Sequence, residues 1–205
     1  MAFRFSFHNF RRHEDGLAAL EFALIAPLLV LLFFGAVELS NLLIADSRMR
    51  TVAASIADLL AQKSNGIISQ TDLNVANTAA TQIMLPLSVN GRLAVLLTVW
   101  RPATLNTSQV VWTRIIKGGT TGSMLGSELG LSTPACATDG LPASLLPKSA
   151  SSPFNDVLQV TAVYEFHPWF ATIFSGSFRV TSGNYNMPRY TLTLDPGNTL
   201  SPPCS

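Results

Sequence analysis

The sequence predicts an α+β protein: a long N-terminal helix, transmembrane at first and then extending outside the membrane, a second helix and a small antiparallel sheet. Three observations predict this fold class. An uncharged apolar run lies near the N-terminus, an amphipathic helical pattern follows it directly, and β-rich runs separated by turn residues fill much of the second half.

The composition limits the classes of protein to which the chain can belong. Of its 205 residues, 48% are hydrophobic and only 12% are charged, whereas soluble domains usually carry about 25% charged residues. The length fits one modest domain plus an anchor. A net charge of +1 argues against nucleic acid as a partner, because such binding depends on neutralising phosphates.

The apolar run FALIAPLLVLLFFGAV occupies residues 22–37 without a charge. A helix over residues 17–37 rises about 30 Å, which is enough to cross the hydrocarbon core. A buried helix of a soluble protein rarely runs so long without a polar face. A cleaved secretory signal normally ends in a small-residue site, but Glu38 stands where a small residue is needed. We therefore expect a retained transmembrane helix over residues 17–45.

Basic residues predict the orientation of this helix. Arg4, Arg11 and Arg12 precede it, and positively charged flanks remain on the cytoplasmic side. Residues 1–16 are therefore expected to be a cytoplasmic basic leader, and residues beyond 45 to lie outside the cytoplasm.

The helix is expected to continue as an amphipathic extension over residues 46–66, because apolar residues recur there at helical spacing. They are Met49, Val52, Ala53, Ile56, Leu59 and Leu60. Asn65 and Gly66 supply a stop signal. A second helix is expected over residues 72–84, with Thr71 as its N-cap and Pro86 beyond its end.

Residues 67–205 are expected to form an extracytoplasmic α+β domain. Residues 92–100 and 109–116 are predicted to pair as a hairpin, and residues 156–166 to form a further strand. Residues 176–181 and 189–194 are predicted to form a later pair or a meander. The stretch 118–153 is rich in Gly, Ser, Thr and Pro and is expected to be a long surface loop.

Both cysteines, Cys136 and Cys204, lie far beyond the apolar run. If this region is exported, they meet an oxidising compartment and can form a disulfide. The alternative is a pair of free thiols.

A carboxylate at the start of the span is the most unusual chemical feature of the sequence. Glu21 precedes Phe22 within the segment Gly16-Leu17-Ala18-Ala19-Leu20-Glu21-Phe22. At mid-bilayer a charged residue costs about 2.5–3.5 kcal/mol, and less near the interface. Cleavage after Gly16 would give Leu17 a new α-amino group one helical turn from Glu21, so that the two charges could neutralise one another. A glycine at that point leaves the backbone accessible.

The pattern Gly-x-x-x-x-Glu-Phe, with basic residues before it and an apolar helix after it, resembles the prepilin-peptidase site of type IV pilin-like proteins. The stretch GLAALEFALIAPLLVLLFFGAVELSN over residues 16–41 resembles the N-terminal segment of the TadE family, minor pilin-like proteins of tight-adherence (Flp) pilus machinery. The matching positions are Gly16, Ala18, Ala19, Glu21, Phe22, Ala23, Pro27, Gly35 and Glu38. The resemblance implies cleavage between Gly16 and Leu17 and makes Glu21 the helix carboxylate.

The resemblance also implies a function in pilus assembly, as a pseudopilin-like, single-pass protein of the bacterial inner membrane with a periplasmic C-terminal domain. The implied partners are the membrane, a prepilin peptidase, and other pilus-assembly subunits and pilin-like proteins. The alternative is an unprocessed, signal-anchored extracytoplasmic binding protein.

We expect no enzymatic activity, no cofactor and no metal, because the sequence contains none of the common nucleotide, nucleophile or zinc motifs. Trp169 and Phe170 belong to a dense aromatic cluster. This cluster is interpreted either as core or interfacial packing, or as a contact patch for another pilus component.

Overall fold

The structure is a computed structural model that describes residues 15–118, 140–147, 155–168, 176–191 and 193–196. Helix α1 spans Asp15–Ala61 and helix α2 spans Gln70–Met84. The strands are β1 (Ile67–Ile68), β2 (Leu93–Pro102), β3 (Ser108–Lys117), β4 (Val157–Phe166), β5 (Phe178–Asn186) and β6 (Asp195–Pro196). The chain divides into two compact units, Met1–Asn41 and Leu42–Ser205. The predicted α+β class is confirmed.

The main sheet of the second unit is antiparallel, with the strand order β3-β2-β4-β5. The predicted hairpin is confirmed as β2 and β3, which pair along their whole length with a register shift between Val99 and Trp100. Strand β4 then lies on the other side of β2. This placement makes β2 a central strand, and nine of its ten residues are buried.

The second half of α1 supplies the helical side of the core. Its buried residues follow the helical spacing that the sequence shows, and they join a cluster with alternate residues of β2 and β4. The α1 members are Ala45, Met49, Val52, Ala53, Ile56, Ala57 and Leu60. Leu59, which was expected in the same stripe, is 36% exposed and therefore lies at its edge.

The N-terminus of α2 differs from the sequence-based expectation. The N-cap is Ser69, and the prediction of Thr71 as N-cap is wrong. The Ser69 hydroxyl accepts a hydrogen bond from the Asp72 amide at 3.4 Å, and the Asp72 carboxylate accepts one from the Ser69 amide at 2.9 Å. This reciprocal capping box satisfies two amides that would otherwise be unpaired at the helix start, so the helix begins at Gln70.

The C-terminus of α2 is fixed by a side chain from α1. The Arg48 guanidinium donates to the backbone carbonyl of Ile83 at 2.7 Å and also to that of Leu85. The last carbonyls of a helix lack partners within the helix and carry partial negative charge. Arg48 therefore both satisfies and neutralises them, and it joins the two helices.

The segment after β5 also differs from expectation. The described part of residues 189–194 forms no strand. Instead, the Arg189 amide donates to the Ala61 carbonyl at 3.0 Å, and its guanidinium pairs with Asp58. The expected strand over residues 176–181 begins at Phe178 and extends to Asn186, because β5 pairs with β4 along its full length.

The C-terminal strand β6 returns to the end of α1. It pairs in parallel with β1, with Ile67 opposite Asp195, and the Asp195 amide donates to the Gly66 carbonyl at 2.7 Å. Gly66 has a φ of +66°, and a β-carbon there would lie 2.6 Å from the Thr193 carbonyl oxygen. Glycine is thus required both by the left-handed backbone and by the close approach of the C-terminal segment.

A buried carboxylate, Asp156, ties this segment to the sheet. Its two oxygens accept hydrogen bonds from the Arg101 guanidinium at 2.7 and 2.8 Å, and one of them also accepts from the Leu194 amide at 2.8 Å. The Trp112 indole N–H donates to the Leu194 carbonyl at 2.9 Å. The hydrogen bond to Asp156 raises the pKa of Arg101, so the guanidinium stays charged.

Asp156→Ala is expected to lower the free energy of unfolding by on the order of 3 kcal/mol, because it leaves the Arg101 guanidinium and the Leu194 amide without their acceptor. The measurement is denaturant unfolding of the detergent-solubilised full chain. The matched control is Asp46→Ala, which removes an exposed pair with Arg50 and should cost about 0.5 kcal/mol. Equal effects of the two substitutions would contradict the assigned role of Asp156.

The capping box predicts a dependence of stability on pH. Burial alone would raise the pKa of the Asp72 carboxyl, but hydrogen bonds from Lys63 and Ser69 outweigh burial and lower it. A carboxyl whose pKa is lowered by folding stabilises the native state above its unfolded pKa of about 3.9. That stabilisation is lost as the pH falls through the folded pKa.

Asp72→Asn is therefore expected to reduce the thermal stability at pH 7, with a difference from the wild type that shrinks as the pH is lowered below about 4. Thermal unfolding of the full chain between neutral and acidic pH measures this effect. Thr71→Ala is the control, because Thr71 is exposed and makes no cap. A difference between Asp72→Asn and wild type that is constant with pH would refute the charge-based explanation.

Candidate membrane anchor and processing site

The first part of α1 exposes large apolar side chains around the whole helix. The exposed members are Leu17, Leu20, Phe22, Leu24, Ile25, Leu28, Leu29, Val30, Leu31, Leu32, Phe33, Val37 and Leu39. In water such a surface would be strongly unfavourable, since each large apolar side chain gains about 1.5–3 kcal/mol on leaving water. This helix surface is suited to a lipid environment.

Helix α1 is long and apolar enough to cross a membrane, by length and composition, and its most apolar window is 0% buried. This exposure separates it from the core helix of a soluble protein, which would be buried on at least one face. The helix continues through Pro27, which removes one backbone hydrogen bond. One candidate membrane helix near the N-terminus is consistent with a single-pass membrane protein.

The predicted processing residues lie at the very start of α1. Gly16 and Leu17 fall within its first turn, and Glu21 and Phe22 within the following turn. All four residues are exposed. Leu17 and Glu21 are separated by one helical turn, so they share a face of the helix. The structure thus retains the spacing on which the predicted pairing of amine and carboxylate depends.

The position of Gly16 is not crowded. A β-carbon built at Gly16 meets no atom within 4 Å, and the same is true of Gly35 further along the helix. Neither glycine is required by packing in the structure of this chain. A requirement for glycine at position 16 would therefore come from something that binds the chain.

The structure gives no position for the remaining predicted site residues. Cys136 and Cys204, the predicted disulfide, and Trp169 and Phe170, the predicted contact patch, lie outside the described residues. Among the residues that the structure does describe, no group of three or more His, Cys, Asp or Glu side chains could hold a metal ion.

The structure also shows a surface feature that the sequence analysis missed. A groove of about 400 Å³ lies between the start of the second unit's helix and the start of β5. Its lining is mainly apolar and includes Leu42, Leu43, Phe178 and Val180. The signal in the sequence is weak, because Leu43 lies outside the buried helical stripe and Phe178 and Val180 are two apolar residues in a mostly polar strand.

The comparisons with known proteins agree with the features at the start of α1. Residues 16–58 match the family model described as TadE-like protein. No curated protein and no solved structure matches the chain. The matched segment covers Gly16, Glu21 and the exposed apolar helix, and it reaches into the buried part of α1. It supports, in general terms, a pilin-like protein associated with a Tad pilus. The chain therefore carries a TadE-like segment over residues 16–58, at the N-terminal end of its fold.

Proposed function

We propose that this chain is a non-enzymatic, pseudopilin-like subunit of a tight-adherence (Flp) pilus system, anchored in the bacterial inner membrane and cut by a prepilin peptidase after Gly16. The observation that carries the proposal is the exposed apolar part of α1, which begins with Gly16 and Glu21 inside the TadE-like match. The subunit acts by helping to initiate or anchor the filament together with other pilin-like subunits.

The exposure of α1 supports insertion in the membrane. All backbone hydrogen bonds of a helix, apart from those at its ends, are made within the helix, so a helix can cross lipid without unsatisfied groups. The basic residues Arg4, Arg11 and Arg12 favour a cytoplasmic N-terminus. The second unit, with its sheet and its tethered C-terminal segment, is then periplasmic.

The geometry at the start of α1 supports processing. In the uncut chain Glu21 is a carboxylate near the edge of the span, four residues after Leu17. Cleavage would place the new amine of Leu17 one turn away on the same face. The two charges could then compensate each other within a subunit, or between the helices of neighbouring subunits in the filament, which lowers the cost of a carboxylate in lipid.

A substitution at Gly16 tests this function. Gly16→Val adds a branched side chain in open space, so it should leave insertion and folding intact while hindering access of the peptidase to the scissile bond. We expect intact mass measurement of the protein from peptidase-containing cells to show the chain starting at Leu17 for wild type and an uncut leader for the variant.

Gly35→Val is the matched control, because it makes the same change in the same helix, also in open space, and should not alter processing. An uncut leader in the wild type would overturn processing and favour the unprocessed, signal-anchored binding protein. Equal cleavage of wild type and Gly16→Val would show that Gly16 does not determine the cleavage site.

A further inference from the structure

We propose that the outer edge of strand β5 pairs with β5 of a second copy of this chain, so that the two main sheets join in one continuous antiparallel sheet. The two-fold axis of this pairing passes through Ser182, the middle residue of β5. Every residue on which the inference depends lies in the second unit, so it depends neither on processing nor on insertion in a membrane.

The two outer edges of the main sheet differ in their protection. In the described part of the chain, β5 pairs with β4 alone and β3 with β2 alone. Strand β3 has a register shift against β2 and carries Arg114 and Lys117, which are features that discourage pairing with a further strand. Strand β5 pairs with β4 without a register shift, contains neither lysine nor proline, and has Arg179 as its one charge. A long, regular edge of this kind can pair with another strand.

The backbone groups on the outer side of β5 follow from the hydrogen bonds of β4. The Glu165 amide donates to the carbonyl of Arg92, directly before β2, at 2.8 Å. The backbone groups of successive residues point to opposite sides of a strand, and the pairings of β4 with β2 and with β5 have no register shift. Phe166 and every second residue before it therefore point toward β5. The residues of β5 that direct their N–H and C=O groups outward, all of them exposed, are Arg179, Thr181, Gly183 and Tyr185.

A second β5 strand complements this edge when it runs antiparallel about Ser182. Phe178 then lies opposite Asn186 of the second copy, so the strand is paired along its whole length. Each outward-facing residue lies opposite another outward-facing residue, as a hydrogen-bonded antiparallel pair requires. Two hydrogen bonds for each of the four pairs give about eight across the interface.

The side chains of β5 favour a second copy as the partner. Arg179 and Tyr185 lie three residues before and after Ser182, so the two-fold axis brings Arg179 opposite Tyr185 of the second copy. Directly opposite residues share one face of the sheet, and each guanidinium can therefore contact an aromatic ring. The two Arg179 side chains stay at opposite ends of the paired strands, which avoids like charges directly opposite each other. An unrelated strand would not require this symmetric spacing.

A proline on the outer edge of β5 tests the proposal. Thr181→Pro removes an outward N–H and places a ring in the path of the second strand, but it leaves the hydrogen bonds between β5 and β4 in place. Thr113→Pro is the matched control on β3. The Gly118 amide donates to the Leu93 carbonyl at 2.9 Å, so the same alternation directs the Thr113 N–H to the outer side of β3.

Sedimentation velocity of the full chain in detergent micelles, over a range of protein concentrations, gives the dissociation constant of the dimer. We expect Thr181→Pro to raise this constant by about tenfold or more, because each dimer loses two donors, and Thr113→Pro to leave it unchanged. A monomeric wild type, or equal effects of the two prolines, would overturn the proposal.

Photocrosslinking tests the same interface if Thr181→Pro does not accumulate as a folded protein. A benzophenone derivative of phenylalanine replaces Tyr185 in cells that co-express two differently tagged forms of the full chain. After irradiation, we expect mass spectrometry to find position 185 of one form joined to the neighbourhood of Arg179 of the other. The control carries the probe at Tyr190, which is 70% exposed and lies beyond β5, and should give several-fold less of this product.

Three outcomes of the crosslinking would overturn the proposal. They are the absence of a product between the two tagged forms, equal yields from positions 185 and 190, and a crosslink from position 185 to a different protein in place of the second copy.

Discussion

The structure depends on one helix that is surrounded by two different environments. Helix α1 exposes apolar side chains on every face from Leu17 to Phe33, and it buries a regular stripe from Ala45 to Leu60 in the core of the second unit. Because a helix satisfies its own backbone, the same element can cross lipid and then complete a protein core. Only the character of the side chains changes along the length of α1. A candidate membrane anchor and a folding scaffold are thus combined in one element, and the TadE-like segment at residues 16–58 includes parts of both.

Residues near the C-terminus complete the fold of the second unit. Strand β6 pairs with β1 just after α1, and Asp156 joins Arg101 to the Leu194 amide. These contacts link segments that are far apart in the sequence, so they stabilise the attachment of the sheet to α1 as well as the sheet itself. In the proposed function, this attachment keeps the exported domain on the helix that would pack among other pilin-like helices. Loss of Asp156 would therefore weaken the domain without touching the anchor.

Several features of the fold could be predicted because they depend on local sequence. The exposed apolar run, the helical stripe that includes Met49 and Ile56, and the hairpin of β2 and β3 all follow from periodicity and turn residues.

The features that the sequence did not predict depend on tertiary contacts. Ser69 caps α2 in place of Thr71 because Asp72 can reach back to it, and residues near 190 form no strand because they bond to the end of α1. The groove at Leu42 and Phe178 joins two segments that no sequence pattern connects. Gly16 and Glu21, the proposed processing residues, were predicted from a motif, and the structure adds that they are exposed and lie at the start of one helix.

The most direct test of the two environments is a nitroxide scan along α1 of the full chain in phospholipid vesicles. The accessibility of each label to dissolved oxygen and to a water-soluble nickel complex is measured from Leu20 to Leu60. The account predicts high oxygen access on all faces up to about Val37, followed by a 3.6-residue periodicity with minima at Met49, Val52, Ile56 and Leu60. A periodic pattern with nickel access over residues 20–37 would show a helix packed in a soluble protein, and it would contradict the account.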